Sequence, residues 1–155
     1  MKARRTGQNA PPSEGTGPVV QSGVVPYRVR TDGHLQILLV TNSVGGWIVP
    51  KGHLEDGMTP SESARKEALE EAGVVGDIDG NGLDEMGRYG YEKGGRVFVV
   101  RLFAMRVTRV MNSWPEMHER ERAWVSVDEA IRRVAFAGLR DVLDRFEQRA
   151  QRVAA

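Results

Sequence analysis

Glu67, Glu70 and Glu71 fall at i, i+3 and i+4 in the stretch ARKEALEEAG. On a helix, at roughly 100° per residue, three such side chains share one side. Like charges at that spacing repel by about a few tenths of a kcal/mol per pair on an exposed helix. A hard divalent cation reverses that balance. Mg²⁺ takes oxygen ligands, keeps several waters and suits carboxylates that share a site with a phosphorylated substrate. A solvated acidic face, screened by Arg65 and Lys66, is the other reading of the same residues.

These carboxylates need a helix to hold them, and the sequence marks its ends. Thr59 and Glu62 have capping-box spacing, Pro60 suits the first turn, and Gly73 is a stop. Ala64, Ala68, Ala72 and Leu69 form an adjoining small apolar side, predicting close contact with a sheet. Before the helix, the β-branched run from Val19 to Tyr27 and LQILLVT (35–41) flank Asp32-Gly33, a hairpin signal. Trp47-Ile48-Val49 reads as a short third strand stopped by Pro50. After the helix, a weak strand is expected near 83–89, a central one over 96–107, and another at Ala123 to Ser126. Ser126 and Glu129 then open a short helix through Val134. A last helix over 137–150 carries Leu139, Val142, Leu143 and Phe146 as a core stripe. Strands mixed with helices predict an α/β or α+β sandwich.

The chain has 155 residues, enough for one domain, and no cysteine, which excludes disulfides and thiolate metal sites. With 22 Lys+Arg against 21 Asp+Glu the net charge is +1, so no nucleic-acid partner is expected. No apolar run approaches the ~18 residues of a membrane span, and no apolar leader follows Lys2, Arg4 and Arg5. The expected setting is cytoplasmic, with no membrane partner. Residues 1–17 are polar and rich in Pro and Gly, predicting a disordered tail before a single domain over 18–150.

The full spacing adds a family. Gly52, Glu67, Ala68, Glu70, Glu71, Gly73 and Val74 stand in the register of the Nudix hydrolase signature. Two positions depart: Met58 where the family has Glu, and Lys66 where it has Arg. The segment WIVP, the EEAGVVG run and the late RERAWVSVDEAI resemble diphosphoinositol polyphosphate phosphohydrolases. The PKGH variant (50–53) resembles diadenosine polyphosphate hydrolases instead. The resemblance spans nearly all of 18–150 and implies a Nudix-like α/β/α sandwich with a mixed central sheet.

It also implies a mechanism and a site. A Mg²⁺-dependent pyrophosphohydrolase would bind metal through Glu67, Glu70, Glu71 and the backbone carbonyl of Lys51 or Gly52, with Mn²⁺ as a substitute. Glu67 would be a ligand or the base that activates water. The Glu missing at Met58 would weaken an additional metal, and Lys66 keeps the charge of Arg without its planar fork. The substrate would be a small phosphorylated molecule: a diphosphoinositol polyphosphate, a dinucleoside polyphosphate or a related nucleoside diphosphate derivative. Arg28 and Arg96 match basic positions of the inositol enzymes, and Lys51, Arg120 and Arg122 add further cations. A further acid is expected from the loop WPEMHERER, at Glu119 in preference to Glu116. His53 reads equally as a phosphate contact or as packing. His34 carries no signal, and His118 reads as an exposed loop residue. Trp114 and Tyr91 are weak candidates for stacking a base. A non-catalytic module sensing a phosphorylated ligand is the alternative, motivated by Met58 and Lys66.

Overall fold

A computed structural model describes residues 17–82 and 85–154. The tail expected over 1–17 falls almost wholly outside them. In chain order the elements are β1 (Val19–Val29), β2 (Leu35–Thr41), β3 (Trp47–Ile48), β4 (Lys51–His53) and α1 (Pro60–Glu67). A π-helical turn (Ala68–Ala72) continues α1. Then come β5 (Val74–Ile78), a 3₁₀ turn (Asp79–Gly82), β6 (Gly87–Lys93), β7 (Arg96–Val110), β8 (Arg122–Ser126), α2 (Val127–Arg133) and α3 (Ala137–Ala154).

The strands form one mixed eight-stranded sheet. Its path runs β3-β2-β1-β7-β5, with β4 on β1, β6 on β7 and β8 on β2. Its centre is the parallel pair β1–β7, in register from Val19↔Phe98 to Tyr27↔Arg106. Side chains alternate along β1, so Ser22 and Tyr27 point to opposite faces. The Ser22 hydroxyl donates to the Pro60 carbonyl at the start of α1 (2.8 Å), while Tyr27 packs on Phe146 of α3 with ring centroids 5.3 Å apart. Helices therefore cover both faces, and the expected α/β/α sandwich is the observed one. Leu139, Val142, Leu143 and Phe146 of α3 are buried, as their stripe predicts.

Four elements differ from the sequence reading. β4 lies beyond Pro50, where a stop was expected. Proline lacks the N–H but keeps its carbonyl, which accepts from Val24 N–H at 3.1 Å and leads the chain onto β1. β5 was not foreseen; its pairing with β7 is long-range and carries a register shift at Val75/Gly76. β6 runs later than expected because it forms a hairpin with β7, from Gly87↔Leu102 to Lys93↔Arg96. The last turn before Gly73 is π-helical rather than α-helical. Among the described residues no helix is long and apolar enough to cross a membrane.

Candidate active site

The acidic segment is fixed from both ends. Thr59 N–H donates to Glu62 Oε1 (2.8 Å) and Glu62 N–H to Thr59 Oγ1 (3.2 Å), completing the capping box. Ala64, Ala68 and Ala72 are fully buried, so the helix sits close on the sheet. Leu69, expected on the same side, is instead exposed. Gly73 ends the segment at φ 67°, a left-handed conformation suited to glycine.

The π turn is held by a distant loop. Helix ends leave carbonyls without intrahelical partners. Here Glu116 N–H donates to the Glu70 carbonyl (3.0 Å), the Trp114 indole N–H to that of Glu71 (3.1 Å), and Arg122 Nη1 to that of Ala72 (2.8 Å). The Arg122 guanidinium also stacks on Trp114, 3.7 Å from the ring centroid. Trp114 and Arg122 thus serve the helix end. Tyr91 is likewise engaged, stacked against Phe98 and Phe136 at 5.0 Å.

The three carboxylates have different surroundings. Glu67 lies against β4, where a methyl group on Gly52 would stand 2.6 Å from Glu67 Oε1 and nearer still to Cδ and Oε2. Burial, then the charges of Glu71 and Glu70, push its carboxyl up to about 8. Glu71 is 5% exposed; its Oε1 accepts from Lys51 N–H (3.2 Å) and its Oε2 lies 3.3 Å from Arg120 Nη2. Burial pushes it up to about 7, against the lowering effect of Arg120 and Lys51. Glu70 is bound by Lys66 (2.7 Å), whose ammonium also contacts Glu55 (2.6 Å) and is held above its ordinary value by those two acids.

Arg120 is centrally tied, to Glu116 (2.6 Å), to the Thr41 carbonyl (2.7 Å) and to Glu71. Of the two loop acids, the structure brings Glu116 rather than Glu119 to the cluster. The charge of Glu116 bears on Glu67 and Glu71, while Glu119 is exposed and acts on Arg120. The reason is the loop's turn, in which Glu119 N–H donates back to the Glu116 carbonyl. Lys51 brings its backbone N–H to Glu71 and its ammonium over Tyr91, 5.1 Å from the ring centroid.

Arg28 and Arg96 are not brought together. Arg28 follows Tyr27, which pairs with Arg106, so Arg28 and Arg96 stand near opposite ends of the β1–β7 ladder. Eleven strand positions at about 3.3 Å each separate them by roughly 36 Å. Arg28 donates to Gln36 (2.9 Å) and lies 4.0 Å above Trp124; Arg96 contacts the Gly17 carbonyl at 3.4 Å. Met58 and His118 are exposed, and His34 contacts Asp32 at the β1–β2 turn. The sequence reading missed Glu55. Its one signal is its place in the signature loop, three residues before Met58.

All the acidic donors are hard oxygens, the kind of ligand a hard divalent cation takes. The donor set therefore fits a divalent metal ion. Among the described residues, however, no three of His, Asp and Glu converge as an ion would require. The contacts explain this: Lys66 holds Glu70 and Arg120 holds Glu71. A cavity of about 780 Å³ lies elsewhere, between the β1–β2 hairpin and α3, lined by Tyr27, His34, Arg106 and Phe146.

Known proteins share this sequence pattern and this fold. The family model described as NUDIX domain matches residues 20–146. Nudix hydrolase 4 of Arabidopsis thaliana is 32% identical over 153 residues, covering 92% of this chain and 72% of that protein. Diphosphoinositol polyphosphate phosphohydrolase 2 of Rattus norvegicus is 31% identical over 107 residues, covering 66% of this chain and 56% of that protein. The crystal structure of a C. elegans Ap4A hydrolase binary complex superposes with a TM-score of 0.71 at 22% identity, covering 84% of this chain and 96% of that one. At that identity the likeness speaks for the fold.

Proposed function

The chain belongs to the Nudix family, and from that premise we propose that it is a Mg²⁺-dependent hydrolase of phosphoanhydride bonds, with Mn²⁺ able to substitute. The observation that supports it is the seating of Glu67, Glu70 and Glu71 on one helix end, where Arg120 pairs with Glu71 and the charge of Lys51 also acts on it. When bound, the divalent ion would neutralise phosphate charge and lower the pKa of a coordinated water. Glu70 and Glu71 would hold it, with Glu67 and the Gly52 carbonyl completing the shell.

In this reading the protein's own groups do the following. Glu67 is the third ligand or the base that takes the proton of the attacking water; burial and its acidic neighbours raise its carboxyl to about 8 without metal, and a bound cation would draw it back toward the ionised form that either role needs. Glu116, in place of the expected Glu119, holds Arg120 by a charge-assisted hydrogen bond. Arg120 and Lys51 bind the phosphates, so that transferring Arg120 from Glu71 to substrate would free that carboxylate. A phosphate-containing group leaves, and no covalent intermediate forms. The likeness to a diphosphoinositol polyphosphate phosphohydrolase supports a phosphate-crowded substrate: a diphosphoinositol polyphosphate, a dinucleoside polyphosphate or a related nucleoside diphosphate derivative. Arg28 and Arg96 are too far apart to bind one compact phosphate cluster, so at most one extends this site.

The test is phosphate release from a panel of such substrates, scored by kcat/KM with Mg²⁺, Mn²⁺ or chelator. Metal-dependent turnover of one class is expected. Tight binding of a phosphorylated ligand with no turnover would favour the sensing module, to which the Lys66–Glu70 and Arg120–Glu71 pairs would then belong. A cytoplasmic setting is part of the proposal, to be checked by fractionation against the mitochondrial and chloroplastic settings in the relatives' names.

A further inference from the structure

The signature is altered at two positions of one loop-and-helix unit, and the structure connects them through a third. Lys66 reaches back from α1 to Glu55 Oε2 (2.6 Å) as well as forward to Glu70 Oε2 (2.7 Å). Glu55 is well placed to receive it. Its backbone N–H donates to the hydroxyl of Ser63 (3.1 Å), and Ser63 is 1% exposed on α1. Its carbonyl accepts from Met58 N–H (3.1 Å), closing the turn that leaves the Met58 side chain pointing outward. The acid of this loop that meets the helix is therefore at position 55, not 58.

We propose that Glu55 is a positioning residue for Glu70, acting through Lys66: it gives the ammonium a second carboxylate, so that Glu70 can be released to a divalent cation. The inference rests on the metal-dependent reading of the site. Lys66 and an incoming cation compete for the same carboxylate of Glu70. With Glu55 present, Lys66 can give up Glu70 and remain paired. With Glu55 neutral, releasing Glu70 would leave the ammonium without a carboxylate. Its hold on Glu70 strengthens and the cation binds less well. Lysine suits this exchange better than arginine, because a compact ammonium with rotatable donors can shift between two acids.

The experiment measures direct Mn²⁺ binding to the full chain from the electron paramagnetic resonance signal of the free ion. It compares wild type, Glu55→Gln, Lys66→Met and the double variant, with Glu55→Asp as a graded second change. Melting temperature and circular dichroism are recorded for each. Both Glu55 and Lys66 are more than a third exposed, so the variants are expected to fold. Glu55→Gln should weaken Mn²⁺ about two- to fivefold, the range of partly exposed ion pairs. In the Lys66→Met background the same change should have no effect. A Glu55 that binds the ion itself, or acts only through its field, would cost the same factor in both backgrounds and overturn the proposal. So would a Glu55→Gln affinity equal to wild type. If wild type binds no Mn²⁺, or Glu70→Gln binds it equally well, the metal reading itself falls and takes this inference with it.

Discussion

Replacing Gly52 by alanine tests the seating of Glu67 directly. Gly52 lies in β4 opposite Ser22, in extended backbone that alanine adopts readily. The added methyl would stand 2.6 Å from Glu67 Oε1 and closer to the rest of its carboxyl group. Ordinary contact needs about 3.5 Å, so the carboxylate must withdraw by about 1 Å. Misplacing a reacting group by that much costs on the order of 100-fold in rate, or about 2.7 kcal/mol of barrier. The strain of a displaced rotamer is smaller, about 1 kcal/mol, which for a domain of this size lowers Tm by roughly 2–4 °C. Steady-state kinetics with Mg²⁺ and thermal melts should therefore separate: a large loss of kcat beside a small loss of Tm. Gly57→Ala is the converse control. A methyl there meets nothing within 4 Å, but φ is +84°, so stability should fall by about 1–2 kcal/mol while kcat stays unchanged. A folded Gly52→Ala enzyme with kcat within about twofold of wild type would refute the placement of Glu67 at the reaction centre.

Glu70→Gln and Glu71→Gln should each abolish metal-dependent turnover and leave circular dichroism unchanged; a folded variant with nearly full activity excludes that residue as an essential ligand. Trp114→Phe keeps a ring beneath Arg122 but removes the donor to the Glu71 carbonyl, which should cost about 1 kcal/mol by urea unfolding; no loss would show that the clamp is idle. Arg28→Ala and Arg96→Ala should not both raise KM for one substrate, because the ladder keeps them apart; a tenfold rise in both would overturn that geometry. In metal-free protein, Glu67 and Glu71 are pushed up to about 8 and about 7. Folding then favours their protonated forms, so stability should be greatest below pH 4.5 from these groups and fall as pH rises to about 8. Melts across that range should show the decline, and Glu67→Gln should flatten it.

The sequence by itself determined what depends on neighbours a few residues apart. The capping box at Thr59 and Glu62, the buried alanines, the stop at Gly73 and the shared side of Glu67, Glu70 and Glu71 are all set by helical spacing, which is local. The α3 stripe and the β1–β2 hairpin are legible for the same reason. Tertiary structure decided the partners of those groups. Local spacing does not specify that Pro50 leads into a strand against β1, that β5 joins β7, or that Trp114, Glu116 and Arg122 reach back to carbonyls more than forty residues earlier. Nor could spacing choose Glu116 over Glu119, or give Lys66 a partner at Glu55. Those choices depend on where separate segments come to lie once the β1–β7 pair and the buried face of α1 are packed. Burial also sets the charge state. Glu67, Glu70 and Glu71 are one residue type on one helix, yet burial raises the first and third while the second pairs with a half-buried lysine.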